Sequence, residues 1–173
     1  SWPFLWLSRS PYEVRYEGAG RYQLYRDDEP IEEVFFPPRP EWMDRKTSSG
    51  KPMSAIISQR GEAHLTLSAL NYCEFFKDGN GCRYCNINPT ESTRRDQGLE
   101  RTLAKRDQEI YETFVAILKE GCVSPPGMVT LSGGVMLDTK KEAANYARIA
   151  GVLKQAMKDV GRHVGLNVAM QAV

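Results

Sequence analysis

Three of the four cysteines in this 173-residue sequence lie within residues 71–88, as Cys73, Cys82 and Cys85. Their spacing is Cys-x8-Cys-x2-Cys, and they follow directly after an apolar run. Three thiolates on one loop are typical ligands of a metal ion or an iron–sulfur cluster. A chain of this length can bury an ordinary core without disulfides, so the grouped cysteines favour ligand chemistry in a reducing compartment.

The number of available ligands separates two kinds of site. A four-iron four-sulfur cluster held by three cysteines keeps one iron open for a substrate or cofactor, whereas a structural zinc ion normally takes four protein ligands. The fourth ligand here would be Cys122, His64 or His163. A single cysteine such as Cys122 is more often a small buried hydrophobic residue, and both histidines suit edge or helix-end positions. The sequence therefore favours the open cluster.

A second candidate feature is the Ser132-Gly133-Gly134 sequence at the end of an apolar run. Glycines at the end of a strand allow the backbone to approach a ligand closely and leave main-chain groups available to bind it. Alone, such a pair more often marks a turn. The glycine pair is a stronger indication of a ligand site in combination with the cysteine loop, because both features are expected at the same edge of one sheet.

That expectation follows from the order of the predicted elements after the lead-in. Strands alternate with helices, and the cysteine loop comes directly after the first strand. Such alternation builds a parallel sheet with helical crossovers, and ligand sites in these sheets lie at the carboxyl ends of the strands. The predicted strands are 63–70, 128–132 and 164–170, and the predicted helices are 109–120 and 140–160.

Residues 1–62 are predicted to form a β-rich lead-in. Short runs of alternating apolar and charged residues are separated by glycine-rich and acidic turn signals, as in a meander with one buried face. A further strand is predicted shortly before the cysteine segment, with a turn at 59–62. The predicted lead-in strands are 12–16, 22–25, 31–36 and 53–58.

Charge and composition exclude some functions. Lys and Arg total 23 against 22 for Asp and Glu, so no net positive field favours nucleic acid. The apolar first seven residues are too short to span a bilayer and are interrupted by Pro3. We therefore expect a soluble, cytoplasmic protein. Glu109, Glu112 and Glu120 are expected on a solvated face of the first helix.

The motifs together resemble the radical S-adenosylmethionine (SAM) superfamily. The resemblance covers about residues 63–173 and is carried by the cysteine loop after the first strand, the aromatic residue before the last cysteine, and the glycine pair. It implies that the cluster ligands are Cys73, Cys82 and Cys85. It also implies that Tyr84 packs near the adenine of SAM and that the methionine end is bordered by Ser132, Gly133 and Gly134.

The resemblance further implies an α/β fold, with residues 63–173 as the first, apparently truncated part of a (β/α) barrel of about three βα units. Residues 1–62 would precede it as a β-rich segment. The implied function is a radical SAM enzyme. A four-iron four-sulfur cluster would reductively cleave SAM to a 5′-deoxyadenosyl radical, which abstracts hydrogen from an unidentified substrate. The implied partner is a low-potential electron donor of the flavodoxin or ferredoxin type.

Two departures from the family pattern bear on this interpretation. The first cysteine gap is longer than usual, and the glycine pair is followed by Val135-Met136, where the family usually has Glu and Pro. A carboxylate contact to the SAM ammonium is therefore lost there, although strand-end carbonyls can accept hydrogen bonds. The alternatives are a non-catalytic zinc or iron–sulfur module with Cys122 as fourth ligand, and an ordinary α/β domain with incidental cysteines.

Overall fold

The computed structural model describes residues 10–36, 39–61, 63–77, 79–85, 87, 107–120 and 127–170. The chain divides into two compact units, Ser1–Pro38 and Arg39–Val173. Residues 39–61 of the predicted lead-in therefore belong to the second unit, where Trp42 is fully buried in the core.

The first unit contains an antiparallel sheet of strands β1 (Tyr12–Gly18), β2 (Arg21–Arg26) and β3 (Glu29–Val34), in that spatial order. The meander predicted from the alternating runs is confirmed. Asp27 and Asp28 form the second turn at positive φ, a conformation that Asp tolerates better than most residues. The apolar residues of β1 are exposed, with Tyr16 at 61%, so the alternation predicted the strand but not its burial.

Within its described residues, the second unit contains a mixed sheet in the order β4-β5-β6-β7 and two α-helices. Strand β4 (Ser58–Arg60) pairs antiparallel with β5 (His64–Leu70), whereas β5, β6 (Met128–Gly133) and β7 (Gly165–Val168) are parallel. Helix α1 (Asp107–Glu120) lies between β5 and β6 along the chain, and helix α2 (Thr139–Val160) lies between β6 and β7.

This architecture corrects the predicted fold class. The described chain is a small mixed α/β structure with a three-stranded antiparallel sheet and a four-stranded mixed sheet, and it is not a partial (β/α) barrel of the radical SAM type. The physical reason lies at the edge of the parallel strands, where β4 pairs antiparallel with β5. Alternation of strands and helices predicts parallel pairing, but it does not determine which strand occupies that edge.

The predicted strand at 53–58 is also wrong. Met53–Ala55 forms a short 3-10 helix, and β4 overlaps the predicted strand only at Ser58, while its other two residues were predicted as part of a turn. Met53, Ile56 and Ile57 are nevertheless buried, with Ile57 fully inaccessible. This apolar run thus fills the core from an irregular segment, and hydrophobicity alone did not distinguish that role from a strand.

The two helices cover the core with apolar faces. The helical spacing of the apolar residues in α1 predicts a buried stripe, which is confirmed because Ile110, Phe114, Ile117 and Leu118 are all buried. Helix α2 begins after Asp138, whose carboxylate accepts a hydrogen bond from the Lys141 N–H, and ends at Gly161 in a left-handed conformation. Within the described ranges, no helix is long and apolar enough to cross a bilayer.

Three carboxylates on α1 bind the segment 41–51 of the same unit. The prediction that Glu109, Glu112 and Glu120 lie on a solvated face of this helix is therefore wrong. Glu109 is 2% exposed and contacts Lys51 Nζ at 3.0 Å and Ser49 Oγ at 2.8 Å. Glu112 accepts hydrogen bonds from the backbone and side chain of Ser48, which lower its pKa. Glu120 accepts from two consecutive backbone N–H groups. These acidic side chains accept hydrogen bonds from the segment 41–51 rather than face solvent.

We expect Lys51→Ala to lower the free energy of unfolding by about 2 kcal/mol, because it removes the positive charge that offsets the cost of burying the Glu109 carboxylate. The effect is moderated because Lys51 is itself partly exposed. Urea denaturation followed by circular dichroism measures the change. Lys154→Ala, at an exposed position of α2, is the matched control and should leave stability unchanged. Equal stabilities of the two variants would contradict the proposed role of the Lys51–Glu109 pair.

Candidate functional site

The cysteine loop begins at the carboxyl end of β5. This strand ends at Leu70, and Cys73 follows after two intervening residues. The chain then turns through the short 3-10 helix Glu74–Phe76, in which the Phe76 N–H donates to the Cys73 carbonyl. Because β5 and β6 are parallel, the end of β6 lies at the same edge of the sheet as Cys73.

The glycine pair is in direct contact with the start of the cysteine loop. The Gly134 N–H donates to the Leu70 carbonyl at 3.1 Å. A Cβ at Gly134 would overlap the Tyr72 carbonyl and lie 2.9 Å from the Cys73 nitrogen. A Cβ at Gly133 would lie 2.6 Å from the Leu70 oxygen. Both positions therefore require glycine for a close approach of two backbones, whereas Ser132 is half-buried within β6 opposite Ser68.

Glu74, directly after Cys73, adds a second connection to the segment that follows β6. Its N–H donates to the Val135 carbonyl at 2.9 Å, and its Oε2 accepts from the Leu137 N–H at 2.7 Å. The Leu137 hydrogen bond, with a smaller contribution from Lys77, holds the Glu74 pKa below its ordinary value. The sequence analysis missed this residue, since a single Glu after a cysteine carries no distinctive pattern.

A further carboxylate holds the same segment from the other side. Glu142, in the first turn of α2, is 2% exposed, and its Oε2 accepts from the Met136 N–H at 2.9 Å. Among the described residues, its Oε1 has no hydrogen-bond partner. Burial and the nearby Glu142 charge raise the pKa of Tyr146, one helical turn further on, to about 12. Residues 135–137 are thus fixed between the cysteine loop and α2.

The remaining two cysteines lie further along the loop. Cys82 is exposed and Cys85 is half-buried, and the Cys85 N–H donates to the Cys82 carbonyl at 3.0 Å, forming a turn. Gly81 packs on the Phe76 ring so closely that a Cβ would lie 2.7 Å from a ring carbon. Tyr84 is 90% exposed. A hydrogen bond between its hydroxyl and Cys82 raises the Tyr84 pKa.

The donor chemistry of this loop fits an iron–sulfur cluster, but the described conformation does not gather the ligands. Cys73, Cys82 and Cys85 are all outside disulfides, and at least part of each is accessible. Among the residues that the structure describes, no three His, Cys, Asp or Glu side chains lie close enough together to hold a metal ion. The structure therefore places the Cys73 backbone against the strand end and leaves Cys82 and Cys85 on the turn beyond it.

The structure excludes both histidines as a fourth ligand. His64 is the first residue of β5, so it lies at the opposite end of the strand from Cys73, about 20 Å away at the usual rise of an extended chain. Its Nε2 is 2.9 Å from Thr130 Oγ1. His163 lies two residues before β7, at the same amino edge. Cys122 lies outside the described residues, so its predicted role is not decided by the structure.

No family model, curated protein or solved structure matches this chain. Its function therefore has to be inferred from the residues themselves. The relevant observations are the thiol-bearing loop, the glycine pair in contact with it, and the edge of parallel strands where both lie.

Proposed function

We propose that Cys73, Cys82 and Cys85 hold a four-iron four-sulfur cluster and that the protein is a radical SAM enzyme acting on an unidentified substrate. The observation that carries this proposal is the contact between the Gly134 backbone and the Tyr72–Cys73 peptide. A zinc module needs no such contact. A ligand that binds the metal on the cysteine loop and also the end of β6 requires the loop and the strand end to lie side by side.

Cluster binding requires movement of the second half of the loop. Cys73 lies beside the strand end, whereas Cys82 and Cys85 lie on a turn that follows a glycine-containing segment. Gly79 adopts a left-handed conformation and Gly81 packs on Phe76, so this segment includes a residue type suited to unusual backbone angles. Metal binding commonly supplies the free energy that closes such a site. In this proposal, the three thiols converge as the cluster is inserted.

Residues near the loop suit the recognition of SAM. Carbonyl groups at the end of β6 can accept hydrogen bonds from an ammonium group, which offsets the missing Glu of the family motif. The exposed Tyr84 ring is available to pack against a base. When bound, the cluster would supply the electron that cleaves SAM. That electron comes from a low-potential donor, and an oxygen-sensitive cluster suits the reducing cytoplasm.

The test is metal analysis of the full chain after anaerobic reconstitution with iron and sulfide. We expect about four iron and four sulfide per chain, because the loop offers three thiols and one open iron. The electron paramagnetic resonance (EPR) spectrum of the reduced protein should change when SAM is added, since SAM would bind the open iron. Stoichiometric zinc without sulfide would contradict this function and support the structural module with a fourth ligand.

A further inference from the structure

Glu74 joins the cysteine loop to the strand end through both its backbone and its side chain. The Glu74 N–H donates to Val135 O at 2.9 Å, and Leu137 N–H donates to Glu74 Oε2 at 2.7 Å. The side chain is 22% exposed, so the carboxylate lies largely against the protein. A hydrogen bond to an ionised acceptor is stronger than one between neutral groups. These hydrogen bonds therefore hold Glu74, the residue next to Cys73, at a fixed distance from the segment after the glycine pair.

The far side of that segment is equally constrained. Met136 N–H donates to the buried carboxylate of Glu142, so consecutive backbone amides of Met136 and Leu137 donate to different carboxylates. Glu142 belongs to α2, whose Ile149 and Leu153 are buried in the core. Glu74 thereby connects Cys73 to the packed part of the domain. The Glu74 carboxylate also pairs with Lys77. The Lys77 side chain is well exposed, and its Nζ lies 3.3 Å from Glu74 Oε1.

We propose that Glu74 is a positioning residue that sets Cys73 relative to the Gly133–Gly134 strand end, where SAM would bind. This inference rests on the proposed function. Groups that orient a metal ligand affect binding at the metal even though they do not touch it. Glu74 differs from a residue needed simply for stability, because its hydrogen bonds span the two segments that the cofactor would have to contact together.

The test compares three variants of the reconstituted full chain. Glu74→Ala removes the acceptor for Leu137, Glu74→Gln keeps an acceptor oxygen without the charge, and Lys77→Ala removes the exposed ion pair but leaves the Leu137 hydrogen bond. The measured quantity is the SAM concentration that gives half of the EPR change. We expect it to rise about 10-fold in Glu74→Ala, about 3-fold in Glu74→Gln and not at all in Lys77→Ala.

A second measurement does not depend on the cluster. In the metal-free protein, loss of the hydrogen bond to Leu137 should loosen Cys73 and raise its rate of alkylation severalfold in Glu74→Ala, with Lys77→Ala as the control. Wild-type protein that takes up no cluster would overturn the proposed function. Unchanged SAM dependence and unchanged alkylation in Glu74→Ala would overturn the role of Glu74. The role of Glu74 would also be overturned if the changes in Glu74→Ala merely followed the unfolded fraction of the protein, measured by circular dichroism.

Discussion

Gly134→Ala is expected to lower the free energy of unfolding of the second unit by about 3 kcal/mol or more. The added Cβ would overlap the Tyr72 carbonyl, and its three nearest atoms are all backbone atoms of Tyr72 and Cys73, at the start of the cysteine loop. Backbone atoms cannot rotate away as a long side chain can. Relief of the overlap requires the loop to separate from the strand end, which also breaks the 3.1 Å hydrogen bond from Gly134 N–H to Leu70 O.

A matched control is available within the same chain. Gly151 lies on the exposed surface of α2, and a Cβ at that position would meet no atom within 4 Å. Gly151→Ala should therefore stabilise the protein by about 0.5–1 kcal/mol, because alanine favours the helix. Both variants can be compared by urea denaturation at one pH. If Gly134→Ala stayed within about 0.5 kcal/mol of the wild type, the close contact between loop and strand end would be wrong.

The need for glycine at this position could be predicted in part from the sequence. The Ser132-Gly133-Gly134 run at the end of an apolar stretch indicated a place of close backbone approach. Parallel pairing placed this run at the same edge of the sheet as the cysteine loop, but the partner expected for the close approach was a ligand. The structure identifies that partner as the Leu70 and Tyr72 backbone. No sequence pattern specified these atoms, because the register of two parallel strands depends on packing across the whole sheet.

Helices were easier to predict than short strands. The apolar spacing in α1 agrees with its buried face, because a helix of 14 residues repeats its pattern several times. The three residues of β4 allow no repeat, and the strand was assigned to the apolar run before it. In α2 the helical spacing of apolar residues predicts a stripe that includes Ala144 and Ala147, but these two are exposed, whereas Glu142 and Tyr146 are buried. Alanine suits either face, so it is a weak indicator of burial.

Buried carboxylates were the main features that the sequence analysis missed. Glu109 and Glu142 are each 2% exposed, although Glu109 was expected on a solvated face of its helix and Glu142 was not singled out. Glu109 accepts a hydrogen bond from Ser49 in a distant loop, whereas Glu142 accepts one from Met136, six residues before it in the chain. A partner about 60 residues away leaves no local signal. The weak available signal was position, since Glu142 lies in the first helical turn, where carboxylates are often favourable.

Cluster assembly is expected to fail in Cys73→Ala, Cys82→Ala and Cys85→Ala, each of which should retain less than about a tenth of the wild-type iron and sulfide after reconstitution. Each change leaves two thiolates on the loop, too few to hold a four-iron cluster at three corners. Cys82 is exposed, so Cys82→Ala should preserve the fold best and give the clearest result. Iron, sulfide and the absorbance of the reconstituted cluster are the measurements, with circular dichroism as the check on folding.

Cys122→Ala distinguishes the open cluster from a four-ligand site. Both histidines lie at the amino edge of the parallel strands, away from Cys73, so Cys122 is the remaining candidate among the three fourth ligands considered. An open cluster predicts that Cys122→Ala keeps the full iron and sulfide content and the EPR change with SAM. Loss of metal in Cys122→Ala, to the same extent as in Cys82→Ala, would instead identify four thiolates around one ion and a structural role for the loop.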